Sequence, residues 1–448
     1  MIVMKFGGTS VADARAITAL GTAVANAADQ RPLVVVSALS GVTDTLLRLS
    51  RAAAQGDAAA VTSGGEALRA RHLAVATDLG IAEQVAGPLC ARLDALSAIL
   101  GAVPAEDQDG WQDAVVGVGE LLSSVVVAAA LEKRGLPATW FDARRVVRTD
   151  ARYGAAIPDQ AAIRTLAHAQ LAPLLASGAL PVTQGFIGAT EAGAATVLGR
   201  GGSDFSAALL GAALEAERVE IWTDVSGLMT ADPRIVPEAL VLAEATYDES
   251  AELAAFGAKV LHPATQLPLV EAGIPIVIRN TFAPEAPGTR IIAETEYDAT
   301  VPIRSISSKR GIAVMQVRAA RMLGAFGFLR QIFEVFERHE IVVDVLATSE
   351  VSVSLTVDPS PRLEAVMRDL APIGEVTLRE GRSIVAVVGR GIRDTPGIAA
   401  RVYQAIADVN VEMISLGASA SNLTFIVREE DGPRVVRALH RAFFGVPT

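Results

Sequence analysis

Cysteine is almost missing from this chain: of 448 residues only Cys90 carries a thiol. A single thiol excludes an intrachain disulfide and any metal centre built on cysteine. Cys90 itself is expected to be a small buried side chain. Aromatic residues make up only 4%, so the cores must come from aliphatic side chains. Positive charge is outnumbered, with 39 Lys and Arg against 50 Asp and Glu and a net charge of −11. That balance argues against nucleic acid or an anionic membrane as a partner. Histidine is limited to five scattered residues, with no His-Asp or His-Ser pairing signal. The longest apolar stretch, near residues 121–131, is too short to cross a bilayer and contains Ser123 and Ser124. The N-terminus enters a strand at once with no signal-peptide pattern, and a cytoplasmic protein is expected.

What is present suits a folded enzyme. The chain is 51% hydrophobic and 20% charged, enough for sizeable cores and too apolar for disorder. Its length suggests about three domains. Two glycine-rich segments stand out, Lys5-Phe6-Gly7-Gly8-Thr9-Ser10 and Gly199-Arg200-Gly201-Gly202-Ser203-Asp204-Phe205-Ser206. Each can open a helix after an apolar strand. Without a Cβ in the way, backbone N–H groups in such turns can approach phosphate oxygens. Two of them suggest a site that grips a polyphosphate from two sides, and hence phosphoryl transfer. In an acidic protein the cations inside these turns carry more information than the total charge.

Apolar runs at 3–6, 33–36, 138–141, 180–183, 219–223 and 274–279 read as strands, and stretches such as 11–26 and 121–134 as helices. This spacing predicts crossover connections and a mostly parallel sheet covered on both faces. Ligands of such sheets sit outside the carboxyl ends of the strands. A turn-rich break at 283–289 and an acidic stretch at 294–298 close the region. From Ile303 the texture changes and repeats itself at a shift of about 70 residues. Gly327 falls on Gly397, Phe328 on Ile398, Ile341 on Val411, Leu346 on Leu416 and Ser349 on Ser419. Each copy reads strand, glycine turn, helix, strand, strand, helix.

The two glycine segments do not stand alone. Ser37-Ala38-Leu39-Ser40-Gly41-Val42-Thr43, Gly119-Glu120-Leu121, Trp222-Thr223-Asp224-Val225, Asp232-Pro233-Arg234 and Gly257-Ala258-Lys259-Val260-Leu261-His262-Pro263 accompany them in order. Together they resemble the aspartate kinases of the amino-acid kinase family, and the duplicated tail looks like the paired ACT domains that regulate them. The tail residues around Met322–Leu329 and Thr348-Ser349-Glu350 are similar to the lysine-sensitive class. The resemblance covers essentially the whole chain. It implies an α/β protein whose residues 1–295 form an open αβα sandwich with a mostly parallel sheet. Two βαββαβ ACT-like domains at 303–380 and 381–448 would follow. These are tandem or nested, since the strand near 303–308 can complete either one. The length leaves no room for the homoserine dehydrogenase fused to some relatives.

The implied reaction moves the γ-phosphoryl group of ATP onto the β-carboxylate of L-aspartate, with Mg²⁺ held mainly by the nucleotide phosphates and no dedicated protein metal site. A carboxylate is already ionised at neutral pH, so no general base is needed. The obstacle is repulsion between anions and the charge spread over the group in flight. The resemblance assigns Lys5, Asp204 and Lys259 to the reaction centre. It assigns Ser37, Thr43, Glu120, Arg200 and Ser203 to the amino-acid substrate, with Glu120 meeting its ammonium and Arg200 a carboxylate. Ser203 and Asp204 also read as N-caps of the helix that follows. Gly7, Gly8, Ser10, Gly201, Gly202, Thr223, Asp224, Met229 and Arg234, with Lys259, are matched to the nucleotide. Met322, Ala325, Phe328, Leu329, Val342, Val343, Asp344, Ser349 and Glu350 are matched to an effector amino acid, lysine above others. Val118, Met229 and Ala325 depart from residues common in relatives. The implied assembly is a homodimer or larger homo-oligomer through the ACT-like domains. A related kinase of glutamate or acetylglutamate, and a sensor of amino acids without catalysis, are the alternative readings.

Overall fold

The computed structural model describes residues 1–257, 263–294, 302–319 and 326–445. They divide into two units. The first comprises Met1–Leu228, Ala243–Tyr247 and the described part of 260–295. The second comprises Met229–Leu242 and the described parts of 248–259 and 296–448. The segments 229–242 and 248–259, which the sequence reading placed within a domain at 1–295, therefore group with the tail.

The first unit contains β1 (Ile2–Phe6), β2 (Pro32–Val36), β3 (Ala138–Trp140), β4 (Leu180–Gln184) and β5 (Ile187–Ala189). It continues with β6 (Ala195–Val197), β7 (Val219–Thr223), β8 (Glu244–Thr246), β9 (Ile276–Asn280) and β10 (Thr289–Ile292). Among the described residues, eight of these form one sheet in the order β3-β4-β2-β1-β7-β9-β10-β8, while β5 and β6 pair separately. Every pairing from β3 to β9 is parallel; β10 runs antiparallel to β9. All five residues of β1 and all five of β2 are buried, as expected for strands covered on both faces. The chain leaves β1 for β2 on one side, while β7 lies against β1 on the other. The crevice at this change of direction, beyond the carboxyl ends of β1, β2 and β7, is where ligands of such sheets bind.

Helix Val118–Lys133 explains the most apolar stretch of the sequence. Every residue from Val118 to Leu131 is buried, so the helix is apolar on all sides because it has no solvent face. It continues an earlier turn of helix, and the run Gln108–Lys133 is, contrary to the sequence reading, long and apolar enough to cross a membrane. However, 94% of its apolar window is packed inside the protein. Cys90 also departs from expectation. It is half-buried on helix Ala82–Gly101, and Arg69 Nη1 donates to its Sγ at 2.9 Å.

The second unit contains β11 (Ser305–Arg318), β12 (Val343–Thr348), β13 (Ser352–Val357), β14 (Glu375–Val388), β15 (Met413–Leu416) and β16 (Asn422–Arg428). Their antiparallel order is β12-β13-β11-β14-β16-β15. The long strands β11 and β14 run side by side, with register shifts at the middle near Gly311 and Gly381, both at positive φ. The second half of β11 pairs with β13, and the second half of β14 pairs with β16. Helices Phe328–Arg338 and Leu363–Leu370 cover one half of the sheet, and Ile398–Ala405 and Gly432–Phe444 the other, each over its own apolar core. Residues 305–310 thus pair with 383–388 in the half that carries the second helix pair. The repeat seen in the sequence has a local cause: Gly327 and Gly397 both cap a helix at left-handed φ, 77° and 78°. A residue with a Cβ is strained in that conformation.

Candidate active site

The first glycine turn is held by the neighbouring strands. Gly7 N–H donates to the Trp222 carbonyl at 3.1 Å. The Ser10 hydroxyl donates to the same carbonyl at 3.1 Å and bonds Thr281 Oγ1 at 2.6 Å. Ser10 is fully buried, and its hydroxyl braces the turn against the neighbouring strands. Trp222 in turn stacks on Phe6, ring centroids 5.7 Å apart, and its indole N–H donates to buried Glu220 at 3.0 Å. A Cβ on Gly8 would stand 3.2 Å from the Ala38 carbonyl, and the Gly8 carbonyl accepts from Ser40 N–H at 3.2 Å. The turns after β1 and β2 are therefore pressed together.

Lys5 lies on the face of β1 opposite Phe6. Its Nζ stands 2.6 Å from Asp204 Oδ1, with both side chains largely enclosed. Asp204 belongs to the first turn of helix Gly202–Ala213, where the helix dipole favours a carboxylate. Ser203 and Asp204 lie inside that helix and do not cap it, which corrects the sequence reading. The N-cap is Gly201 at φ 73°, with no side-chain cap bond. Gly199, at φ 74°, bends the chain just before it. Between these two glycines Arg200 is exposed, and among the described residues it pairs with no carboxylate. The helix is seated by two further contacts. The Ser206 hydroxyl accepts from Phe186 N–H at 2.9 Å. A Cβ on Gly185 would collide with Ser203 Cβ at 2.7 Å.

Glu120 stands in the first turn of helix Val118–Lys133 and is 3% exposed. Its Oε1 accepts from Ala38 N–H, just past β2, at 3.1 Å, while Oε2 has no partner. Burial pushes its carboxyl up to about 8 against the pull of the Ala38 N–H. The Ser37 backbone is fixed on both sides: its N–H donates to the Phe6 carbonyl at 3.1 Å and its carbonyl accepts from Ser123 Oγ at 2.7 Å. Thr43 is half-buried in the first turn of helix Val42–Ala54, behind Gly41 at φ 78°.

Thr223 ends β7, and its hydroxyl donates to Asp224 Oδ1 at 3.2 Å. Met229 and Arg234 belong to the second unit. There the Met229 carbonyl accepts from Ser305 Oγ at 2.7 Å, and the Arg234 guanidinium grips Asp232 through Nε and Nη2. Lys259, Met322 and Ala325 lie outside the described residues. Of the remaining tail positions, Phe328 is buried in the core under β11 and β13, whereas Leu329, Val342 and Glu350 are exposed. Val343 begins β12, and Ser349 Oγ bonds Ser352 Oγ at 2.8 Å. Asp344 is already paired, its Oδ2 lying 2.8 Å from Lys309 Nζ, which also stands 2.8 Å from Asp358. Among the described residues no group of three or more His, Cys, Asp or Glu side chains is placed to hold a metal.

Lys5, Asp204, Glu120, Ser37 and the Gly7-Gly8 turn are thus linked through contacts at the carboxyl edge of the sheet, and Arg200 stands exposed just before the helix that carries Asp204. The brace formed by Glu220, Trp222 and Ser10 escaped sequence reasoning, as did Lys309. Ser10 and Trp222 both lie in motifs the sequence offered, but nothing in their spacing announced that they meet.

Comparisons with known proteins bear on the family and the fold. A model of the amino acid kinase family matches residues 1–280, and a model of the ACT domain matches residues 385–443. Over 452 residues the chain is 38% identical to the lysine-sensitive aspartokinase 3 of Escherichia coli (strain K12), covering 99% of both. Its structure is similar to that of E. coli aspartokinase III in complex with aspartate and ADP, with a TM-score of 0.85 and 37% identity over 99% of this chain and 100% of that one. It is also similar to the same enzyme in complex with lysine and aspartate, with a TM-score of 0.87 and 38% identity over 99% of each.

Proposed function

The chain belongs to the aspartokinases of the amino acid kinase family, and from that premise we propose that it transfers the γ-phosphoryl group of ATP to the β-carboxylate of L-aspartate, giving 4-phospho-L-aspartate. One observation carries the choice of substrate: the site offers an unpaired guanidinium, Arg200, and a buried carboxylate with one empty oxygen, Glu120. An amino acid supplies the carboxylate and the ammonium that complement them.

The chemistry follows from charge. The attacking carboxylate of aspartate is ionised at neutral pH and needs no base. What it meets is another anion. Lys5, fixed by Asp204 at 2.6 Å, brings a positive charge to the reacting phosphoryl group, and the Gly8 and Gly201 N–H groups add dipoles, while those of Gly7 and Gly202 are spent on the Trp222 and Gly199 carbonyls. Asp204 holds Lys5 in place before the substrates arrive, so little reorganisation is needed at the moment of transfer. The nucleotide enters as its magnesium complex, the metal neutralising phosphate charge. Thr223 and Asp224, at the end of β7, face the nucleoside side. Ser37 and Thr43 donate to the amino acid from the turn after β2.

Regulation is assigned to the second unit. We read the enzyme as inhibited by lysine, a reading supported by the lysine-sensitive E. coli relative; Asp344, whose Oδ2 is held by Lys309 at 2.8 Å, would offer its Oδ1 to the effector's ammonium. A kinase of acetylglutamate is disfavoured because that substrate has no ammonium for Glu120. Trapping the product with hydroxylamine tests the assignment: aspartate should yield a hydroxamate, with glutamate and acetylglutamate far behind. No hydroxamate from aspartate, or equal yields from the three acids, would defeat it.

A further inference from the structure

Asp113 lies outside every role described so far. It sits in helix Gln108–Val116 and is 3% exposed. Its two carboxylate oxygens both stand 3.0 Å from Gly154 N–H, and Oδ2 also accepts from Val197 N–H at 2.9 Å. These two donors flank the Arg200 turn. Val197 ends β6, two residues before Gly199, and its carbonyl accepts from Ala156 N–H at 2.9 Å. Gly154 lies under Gly199, where an added Cβ would stand 3.2 Å from the Gly154 carbonyl and 3.2 Å from Ala155 Cβ. The other end of Asp113 reaches toward Glu120. Its helix runs on through Gly117, whose φ of −63° and ψ of −14° are helical and whose N–H donates to the Asp113 carbonyl at 3.0 Å, into helix Val118–Lys133. That junction is itself confined, since a Cβ on Gly117 would lie 3.0 Å from Ile187 Cγ2.

We propose that Asp113 is a positioning residue that fixes the span between Arg200 and Glu120, and so sets the affinity of the site for its amino-acid substrate. The proposal rests on the reading of those two residues given above. The Asp113 side chain ties the segment before the Arg200 turn to a helix that runs on, through Gly117, into the helix that carries Glu120. Geometry of this kind bears first on binding of the acid, because Lys5 is fixed by Asp204 inside the helix beyond the turn.

Asp113→Asn keeps the size of the side chain and sets an NH₂ group against one of the two N–H donors. The expected result is a KM for aspartate raised about tenfold, with kcat and the KM for ATP within about twofold of wild type. Hydrogen exchange of the peptide 194–202 should accelerate while that of residues 118–133 does not. Asp159→Ala, which removes the N-cap of helix Gln160–Gln170 just beyond the Gly154–Ala156 segment without touching the Asp113 contacts, serves as a control and should leave the KM for aspartate unchanged. Gly199→Ala disturbs the same contact from the other side and should reproduce the rise if Asp113→Asn fails to fold. The proposal is overturned if the KM for ATP rises in step, if Asp159→Ala gives the same rise, or if exchange at 194–202 is unchanged. The exchange measurement needs no substrate, so it decides the positioning role even if aspartate proves not to be phosphorylated. That second result would remove the reading of the site and not the clamp.

Discussion

The Glu120 carboxyl ties binding to pH through one side chain. With its pKa pushed up to about 8 by burial, it keeps its proton at pH 7 in the free protein. An ammonium group favours the ionised form, so binding aspartate expels that proton. Affinity should therefore rise as pH rises toward 8 and level off above it. Steady-state KM for aspartate between pH 6 and 8.5 should fall with a slope approaching one in log units, and Glu120→Gln should abolish the slope while weakening binding. The sign for stability is opposite. The unfolded chain gives up this proton near the ordinary carboxylate pKa of 4.5 and the native state only near 8, so stability declines between those values. Denaturant unfolding of Glu120→Gln at pH 8 should show a gain on the order of 3 kcal/mol over wild type. A flat KM profile in the wild type would show that Glu120 does not meet the ammonium.

At the scale of elements, the glycine turns govern how the helices point at the substrate. Gly201 holds φ 73° at the start of helix Gly202–Ala213, a conformation that costs an L-residue about 1–2 kcal/mol. Gly201→Ala should lose about that much stability and, because Arg200 and Asp204 flank it, at least about tenfold in kcat/KM. Gly193, at φ 86° with open space around it, supplies the comparison: Gly193→Ala should show a similar loss of stability and normal turnover. Equal turnover in both variants would mean that the Gly201 bend has no part in placing Arg200.

The same turns mark how far the sequence could be read. β1, β2, β4 and β7 were legible because strands buried on both faces are written as unbroken apolar runs, and the glycine pairs at their ends were legible because few other residues fit. The misreading of Ser203 and Asp204 as caps has a physical source, since a glycine in left-handed conformation can start a helix alone and leave the hydroxyl and carboxylate free for other work. Asp113 and Lys309 were not legible because their partners lie far along the chain, and Glu220 because its bond to Trp222, two residues on, is hidden in the ordinary alternation of a strand. Asp113 meets Val197 and Lys309 meets Asp344, and no local spacing announces either contact.

At the scale of the whole molecule, the chain joins an amino acid kinase unit to a tail with a repeated helix and strand pattern. The segment Met229–Leu242, part of the sequence motif matched to the nucleotide, groups with the tail. Ala231 and Val236 pack in the tail's second core, and Thr230 Oγ1 bonds buried His440 Nε2 at 3.0 Å. Coupling between effector and activity requires two states that bind the effector unequally. Asp344→Ala should relieve inhibition by lysine and spare activity without lysine. Lys309 would still be paired with Asp358 at 2.8 Å, so the substitution strands no cation. Activity titrated with lysine, threonine and methionine checks this, and inhibition by lysine at wild-type concentrations in the variant would exclude Asp344 from the effector site.

The account stands most directly on the charge that Lys5 brings to the phosphoryl group. Its test is the steady-state kinetics of Lys5→Ala, read as hydroxamate formed from aspartate and ATP, with the melting temperature measured alongside because Asp204 loses its partner. The predicted result is a folded protein whose kcat falls at least about a hundredfold while the KM for aspartate changes less than about threefold. A folded variant with kcat near that of the wild type would contradict it.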